Sequence, residues 1–262
     1  MILLYNRFKR GGLMLGFKDT FNDSEVFEDN QRYTHYHTPS QLIKYYANYF
    51  EYKVMPDLKT FQLDEAYQAR FHSERGQKHG LFMFPDNEVI PEDIVQYALS
   101  MGYGLEKMEL YELVKKPEDR AIDEVVCQRV VADDDVFLDF LEVCREGEIQ
   151  YGEDFVALKD QLHRRDLEDP RKIQMVAYIH GFPAGKIEAI IGKNTIEIDD
   201  FFVDETYRNQ GVGTKLQQSI WQMADGKRVI LIADGNDSPR EMYQRQGYEL
   251  VCERYELLKK PE

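Results

Sequence analysis

Hydrophobic residues recur along the chain with two periods, one typical of buried strands and one typical of amphipathic helices. Residues 195–203 and 228–233 are short apolar segments bounded by turn-forming residues, which predicts two strands. Between them, apolar residues have the spacing of one buried helical face: Val212, Leu216, Ile220 and Met223. The pattern predicts strand, helix and strand in that order.

The same analysis predicts the order β-α-α-β-β-β-α-β-α-β for the C-terminal half. The first strand covers residues 125–131, and acidic residues 133–135 suit the N-terminus of the helix that follows. A second helix covers residues 155–167, and three strands then form a meander with its first turn at residues 181–185. The last helix begins at the capping box Ser238-Pro239-Arg240-Glu241 and ends at a glycine.

The ends of the two halves resemble each other. Residues 102–118 and 247–262 both begin with Gly-Tyr, continue as an amphipathic strand and end in Lys-Lys-Pro-Glu. Upstream, residues 80–88 parallel residues 229–237, each an apolar strand that ends in an acidic turn. This indicates an internal duplication, with domains at 1–118 and 119–262. Chance similarity between amphipathic strands is the alternative.

The net charge of the 262 residues is −15, and most of it lies in the second half. Up to Glu118 there are 14 basic and 18 acidic residues, which leaves 19 basic and 30 acidic residues after it. This balance argues against nucleic acid and anionic membranes as partners. It favours a cationic substrate such as an amine, although acidity that only keeps the protein in solution is an equal alternative.

Cysteine and histidine usage gives no sign of a metal centre. The 3 cysteines are widely spaced, and His35 and His37 have no cysteine or aspartate cluster beside them. We therefore expect no metal and a reducing, cytoplasmic environment. No apolar run reaches membrane-spanning length, and charged residues interrupt the apolar start of the chain, so neither a membrane span nor a signal peptide is expected.

The most informative motif is Arg208-Asn209-Gln210-Gly211-Val212-Gly213, between the predicted strand and the predicted helix. The first amides of a helix have no partner inside the helix and therefore bind anions well. Two glycines allow the backbone to approach a bulky diphosphate closely. The motif predicts a phosphate-bearing cofactor at residues 208–214, and an ordinary glycine-rich connection is the alternative.

Two familiar glycine motifs do not fit. The chain lacks the first glycine of a P-loop, and Leu216 stands where a dinucleotide fingerprint needs a small residue. The pattern [R/Q]-x-x-G-x-[G/A] instead resembles the pyrophosphate loop of the GNAT superfamily of N-acetyltransferases. The order of the neighbouring features strengthens the resemblance, which covers about residues 121–262: Phe201-Phe202-Val203, Asn236, Tyr243 and Gly247-Tyr248.

The resemblance implies two tandem α/β (α+β) GNAT-like domains, each a mixed, mainly antiparallel sheet flanked by helices. The first would be a degenerate copy without a cofactor loop, and the second would bind acetyl-CoA. Main-chain groups near Phe202 and Val203 would contact the pantetheine arm, and Asn236 would also contact the cofactor, unless it only forms a turn. The remaining contacts would come from the pyrophosphate loop: Arg208, Asn209, Gln210, Gly211, Val212, Gly213 and Thr214.

The implied reaction is direct N-acetyl transfer to a primary amine of a small molecule or peptide. Glu197, eleven residues before Arg208, is the candidate base, with Asp199 and Asp200 as rivals on the same strand. Regular pleating would place Glu197 on the face of Asp199, Phe201 and Val203, although a bulge would break this alternation. These acids could also be merely solvated or attract the amine.

Tyr243 is the candidate acid for the leaving thiolate, and a core tyrosine on an amphipathic helix is the alternative. The competing function is a non-catalytic acyl-CoA sensor or pseudoenzyme that acts by binding a partner. A homodimer and transfer of a longer acyl group also stay open.

Overall fold

A computed structural model describes residues 15–117, 124–236 and 240–261. Its strands form a single 11-stranded sheet in the order β1-β2-β3-β4-β11-β5-β10-β9-β8-β7-β6. The strands of the first half are β1 (Val26–Asp29), β2 (Tyr33–His37), β3 (Asn48–Tyr52), β4 (Gly80–Met83) and β5 (Gly104–Leu113). Those of the second half are β6 (Val125–Arg129), β7 (Lys172–Ile179), β8 (Phe182–Ile191), β9 (Thr195–Val203), β10 (Arg228–Asp234) and β11 (Tyr248–Lys259).

Six α-helices flank this sheet within the described ranges. They are α1 (Leu58–Ser73), α2 (Glu92–Ser100), α3 (Asp135–Glu148), α4 (Glu153–Asp166), α5 (Val212–Met223) and α6 (Arg240–Gln246). The second half therefore has the predicted order β6-α3-α4-β7-β8-β9-α5-β10-α6-β11. The α/β class and the mainly antiparallel sheet are confirmed, because only β3–β4 and β9–β10 pair in parallel among the described strands.

The two halves exchange their last strands. β11 lies between β4 and β5 and pairs antiparallel with both, while β5 pairs with β10 on its other side. The units β4-α2-β5 and β10-α6-β11 thus take equivalent places on the two sides of the β5–β11 pair. Two separate sheets were expected, but the exchange joins them into one. The division at residues 118 and 119 stays a prediction, because residues 118–123 lie outside the described part.

Local sequence explains where the helices begin and which face they bury. The Asp134 carboxylate accepts hydrogen bonds from the amides of Val136 and Phe137 and so caps α3. In α5, Val212, Leu216 and Ile220 are at most 1% exposed, as their helical spacing predicted. Helix α6 follows the predicted cap at Ser238 and Pro239, which lie outside the described residues, and it ends at Gly247 with φ 95°.

The turn between β7 and β8 is shorter than predicted. His180 and Gly181 have φ values of 52° and 84°, which makes a two-residue turn. Residues 182–185, predicted as part of the turn, instead begin strand β8. The glycine and proline residues of this segment suggested a long loop, but the two-residue turn with positive φ at both positions matches the twist of paired strands.

Apolar residues cover both faces of the sheet. On one face of the second half, α5 packs against the inward side chains of β6 to β10 together with Tyr111 and Leu113 of β5. On the opposite face, α3 buries Phe137, Phe140 and Cys144 against Val176. The two faces are thus closed by different helices, and the strand ends between them are where a ligand site can form. No helix in the described ranges has the length and apolar character that crossing a bilayer requires.

Candidate functional site

The loop between β9 and α5 presents free amides at a helix N-terminus. Asn209 and Gly211 have positive φ values of 63° and 86°, and Lys215 is the first residue of α5 whose amide bonds back, to Gly211. Within the described residues, the amides of Gln210, Gly211, Val212, Gly213 and Thr214 have no hydrogen-bond acceptor. Such a concave group of N–H donors suits phosphate oxygens.

Glycines allow this loop to lie close against the sheet. A Cβ on Gly213 would come within 3.0 Å of the Phe201 ring. A Cβ on Gly185 of β8 would come within 2.8 Å of the Phe202 carbonyl oxygen. Larger residues would therefore push α5 or β8 away from β9. The closeness puts the free amides directly beside the end of β9.

Strands β9 and β10 separate before they reach this loop. They pair in parallel only from Thr195–Arg228 to Ile198–Leu231. Residues 200–203 of β9 still pair with β8, but their edge toward β10 has no strand partner. The opening exposes main-chain groups near Phe202 and Val203, and it leads to the amides at the start of α5.

A β-bulge at Asp199 changes which side chains share a face. Opposite β8, Ile198 pairs with Ala189 and Asp200 pairs with Glu188, so Asp199 is the extra residue. Phe201 and Val203 consequently pack with α5 in the same cluster as Ile198. Regular pleating would put Glu197 on their face, but the bulge reverses the alternation and places Glu197 on the other face. Glu197 lies on the face covered by α3.

Glu197 is buried, at 7% exposure, beneath an N-terminal segment. The backbone N–H of Phe21 donates to its Oε2 over 2.6 Å. Burial raises the pKa of Glu197 to about 7, and nearby Asp199 adds to the rise, while the Phe21 hydrogen bond and Lys172 oppose it. Such a carboxyl can accept a proton near neutral pH.

That segment, here called the N-terminal strap (residues 15–22), lies outside the site that the sequence predicts. Phe17 is 3% exposed, and its ring lies against the Arg254 guanidinium. The backbone N–H of Phe17 donates to the Asp86 carboxylate. The backbone carbonyl of Asp19 accepts a hydrogen bond from the Thr195 hydroxyl. The strap therefore connects the first half of the sheet to Glu197. Its sequence has no pattern that would predict contact with residues some 175 positions away.

Tyr243 is half-buried on α6, and its ring packs against two other tyrosines. Its ring centroid lies 5.0 Å from Tyr111 and 5.7 Å from Tyr248. The Tyr243 hydroxyl has no hydrogen-bond partner within the described part of the chain, and burial raises its pKa. The tyrosine thus combines a packed ring with a hydroxyl that can still donate.

The other predicted cofactor residues currently contact their own turns. The Arg208 guanidinium donates to the Val203 carbonyl over 3.3 Å and pairs with Glu205. Asn236 is exposed. Its backbone N–H donates to the Asp234 carboxylate, and this hydrogen bond closes the turn after β10. Both side chains are at the surface, where they can turn toward a ligand. Their roles in binding stay predictions.

A buried polar cluster lies under α3 and α4, on the same face as Glu197. Ligand atoms of Cys144, His163 and Glu188 lie within 4.8 Å of one another, an arrangement that could hold a metal ion. However, the Lys186 ammonium lies 2.6 Å from Glu188 and 2.5 Å from Asp200 and already supplies positive charge. Because these residues come from separate elements, no sequence motif marked them. The absence of a metal stays a prediction.

Comparison with known proteins shows a family likeness in the second half. Residues 137–248 match the acetyltransferase (GNAT) family. Residues 15–111 match a separate domain of unknown function, DUF5613. The GNAT match spans α3 to the start of β11 and thus includes the free amides and the strand opening.

Solved structures confirm the fold over most of the chain. A functionally unknown conserved protein from Staphylococcus epidermidis is 29% identical, with a TM-score of 0.83 over 95% of this chain and 98% of its own. A GCN5-related N-acetyltransferase from Sphaerobacter thermophilus is 13% identical, with a TM-score of 0.57 over 80% of this chain and 71% of its own. Another from Kribbella flavida is 15% identical, with a TM-score of 0.52 over 82% of both chains. No curated protein sequence matches this chain.

Proposed function

We propose that the protein transfers an acetyl group from acetyl-CoA directly to a primary amine of a small molecule or peptide. The observation that carries the proposal is the row of unpartnered amides from Gln210 to Thr214 beside the opening between β9 and β10. The match of residues 137–248 to the GNAT family supports the same reaction. The free thiols of Cys127, Cys144 and Cys252 fit a reducing cytoplasm as its location.

The amides of the loop would hold the diphosphate, with the Arg208 side chain near it. Main-chain groups of Phe202 and Val203 would hold the pantetheine arm along the unpaired edge of β9. When bound, the thioester supplies the activated acetyl group. A main-chain N–H on this edge would stabilise the developing oxyanion, and such a donor contributes about 3–4 kcal/mol in other acyl transfers. Asn236 would complete the cofactor contacts from the turn after β10.

Two side chains would move protons. Glu197, whose pKa of about 7 suits the task, would take a proton from the acceptor amine. Tyr243 would donate its hydroxyl proton to the departing thiolate and recover it from water. Glu197 and exposed Asp199 also give the acceptor side of β9 a negative charge, which favours a cationic amine.

The first test is calorimetric titration with acetyl-CoA and free CoA of the protein and of Gly211→Ala. Alanine is strained at φ 86°, so we expect the loop amides to move and both affinities to fall by at least about tenfold. Gly226→Ala is the matched control, because Gly226 has φ 83° near the other end of α5 and open space around it. Equal affinities for the two variants would contradict the proposed cofactor loop.

The alternative function is acyl-CoA sensing without turnover. One observation favours it: the backbone N–H of Phe21 donates a hydrogen bond to Oε2 of Glu197, so the N-terminal strap covers the candidate base. Turnover with a panel of amines separates the two functions. In an active protein, Tyr243→Phe should lower kcat by about 10²-fold or more while acetyl-CoA affinity stays unchanged. An unchanged kcat would remove Tyr243 from the mechanism, and tight binding without turnover by any amine would support the sensor.

A further inference from the structure

Strand β5 belongs to the first half of the chain, but it lies beside the candidate active site of the second. It pairs antiparallel with β10 from Glu112–Ile230 to Met108–Asp234. The amide of Gly235, directly after β10, donates to the Lys107 carbonyl over 2.6 Å. The turn that carries Asn236 is therefore built on β5.

Glu109 of β5 forms a polar contact with the start of α6. Its carboxylate is fully buried, accepts a hydrogen bond from the Tyr111 hydroxyl over 2.6 Å and pairs with the Arg240 guanidinium. Lys107 adds a second cation at 3.5 Å. Burial alone would raise the pKa of Glu109, but the contacts with Arg240 and Tyr111 outweigh it and lower the pKa. The buried carboxylate is thus ionised and fixed in place.

Tyr111 contacts both Glu109, through its hydroxyl, and Tyr243, through its ring. Its ring is 1% exposed and lies against the Tyr243 ring at a centroid distance of 5.0 Å. The described part of helix α6, Arg240–Gln246, has 7 residues, and a helix of this length is not stable without tertiary contacts. Its position must therefore depend on the groups that it packs against, and Glu109 and Tyr111 touch it at its first residue and at Tyr243.

We propose that Glu109 and Tyr111 of the first half are positioning residues for Tyr243. Glu109 fixes the first turn of α6 through Arg240, and the Tyr111 ring limits the orientation of the Tyr243 ring. Strand β5 of the first half thereby completes the acid side of the transfer site. This inference rests on the proposed function for its effect on rate, but the positioning itself can be measured without turnover.

The test compares Glu109→Gln with Glu112→Gln. Glu112 is the matched control, because it lies on the same strand and also pairs with an arginine of the second half, Arg228, over 2.8 Å, away from α6. We expect Glu109→Gln to speed hydrogen exchange of the α6 amides and to lower kcat by about 10–100-fold, with acetyl-CoA affinity unchanged. Glu112→Gln should leave exchange in α6 and kcat at the level of the unmodified protein.

A second pair of variants covers the case in which Glu109→Gln does not fold. Tyr111→Phe keeps the ring against Tyr243, whereas Tyr111→Leu removes it. We expect a lower kcat and faster α6 exchange in Tyr111→Leu, with most of both restored in Tyr111→Phe. Equal effects of the paired variants on α6 exchange would overturn the positioning role. If the unmodified protein binds acetyl-CoA but turns over no amine, the proposed function fails, and α6 exchange alone decides the positioning.

Discussion

At the residue scale, the proton affinity of Glu197 links stability to activity. Its pKa of about 7 means that the charged form needed for a base is populated only at neutral and higher pH. In the unfolded chain the pKa of Glu197 is near 4.5, so the folded state binds its proton more tightly than the unfolded state does. The resulting contribution to the free energy of unfolding is complete below about pH 4.5 and is lost as the pH rises through 7.

Glu197→Gln should therefore raise the free energy of unfolding at pH 8 by about 3 kcal/mol and leave it nearly unchanged at pH 4. A glutamine oxygen can still accept the Phe21 hydrogen bond. The kcat of the unmodified protein should fall as the pH drops below 7, and the variant should lose about 10²–10⁴-fold in kcat together with this dependence. Chemical denaturation and pH–rate profiles measure both effects. Exposed Glu249 offers the control Glu249→Gln, and a retained acid limb in Glu197→Gln would exclude Glu197 as the base.

Buried histidines in the first half give the opposite pH dependence. His35 is 0% exposed, and neither ring nitrogen has a hydrogen-bond partner within the described residues. The centroid of its ring lies 4.4 Å from that of the Phe50 ring and 4.6 Å from that of the Phe71 ring. Burial lowers its pKa to about 3, and neighbouring His72 falls to about 4 for the same reason. The unfolded chain binds these protons at about pH 6.5, so acid destabilises the fold.

Glu197 raises the free energy of unfolding by about 2 kcal/mol from pH 7 to pH 5. Over the same range we expect each of the two histidines to lower it by about 2 kcal/mol. His35→Leu should remove about half of this loss, because leucine suits the aromatic surroundings and does not titrate. Denaturant unfolding at both pH values measures the difference. His180→Asn is the control, because His180 is exposed and asparagine tolerates its φ of 52°. An identical pH dependence in His35→Leu and the unmodified protein would contradict the assignment.

At the element scale, local signals predicted the strands and helices of the second half and the glycine loop between β9 and α5. Apolar spacing located α5, and Gly211 located the turn before it, because each signal acts within a few residues. The sequence allowed for a bulge in β9 but did not locate it at Asp199, and it predicted a longer turn than the one at His180. Both features depend on how β8 pairs with its neighbours. The position of β11 was also unpredictable, because any amphipathic strand with the right pattern can pair with several others.

The pairing of β5 with β11 predicts their hydrogen exchange. Each of these strands has partners on both sides, whereas β1 and β6 are the outer strands of the described sheet. We expect amides of β5 and β11 to exchange together and last, with protection close to the global free energy of unfolding. Amides of β6 should exchange earlier. Mass spectrometry with peptide resolution measures this order, and clearly earlier exchange of β11 than of β5 would show that the halves open separately.

At the scale of the whole molecule, the first half contributes to the surroundings of the candidate site in the second half. It contributes β5 behind α6 and the N-terminal strap above Glu197. The tandem arrangement was visible in the repeated Gly-Tyr segments, but the sharing of strands was not. A sequence repeat shows which residues of the two halves correspond. It does not show with which half each strand pairs, and the strand exchange depends on that pairing.

The exchanged strands also determine when the fold can form during synthesis. The ribosome completes β4 and β5 long before it reaches β11, yet β11 must lie between them. Until then, β4 and β5 each lack a neighbour, and the early chain has unpaired strand edges that can associate with other chains. The sheet of the first half is therefore completed only after the second half has been made, so the N-terminal part of this protein is among the last to reach its final structure.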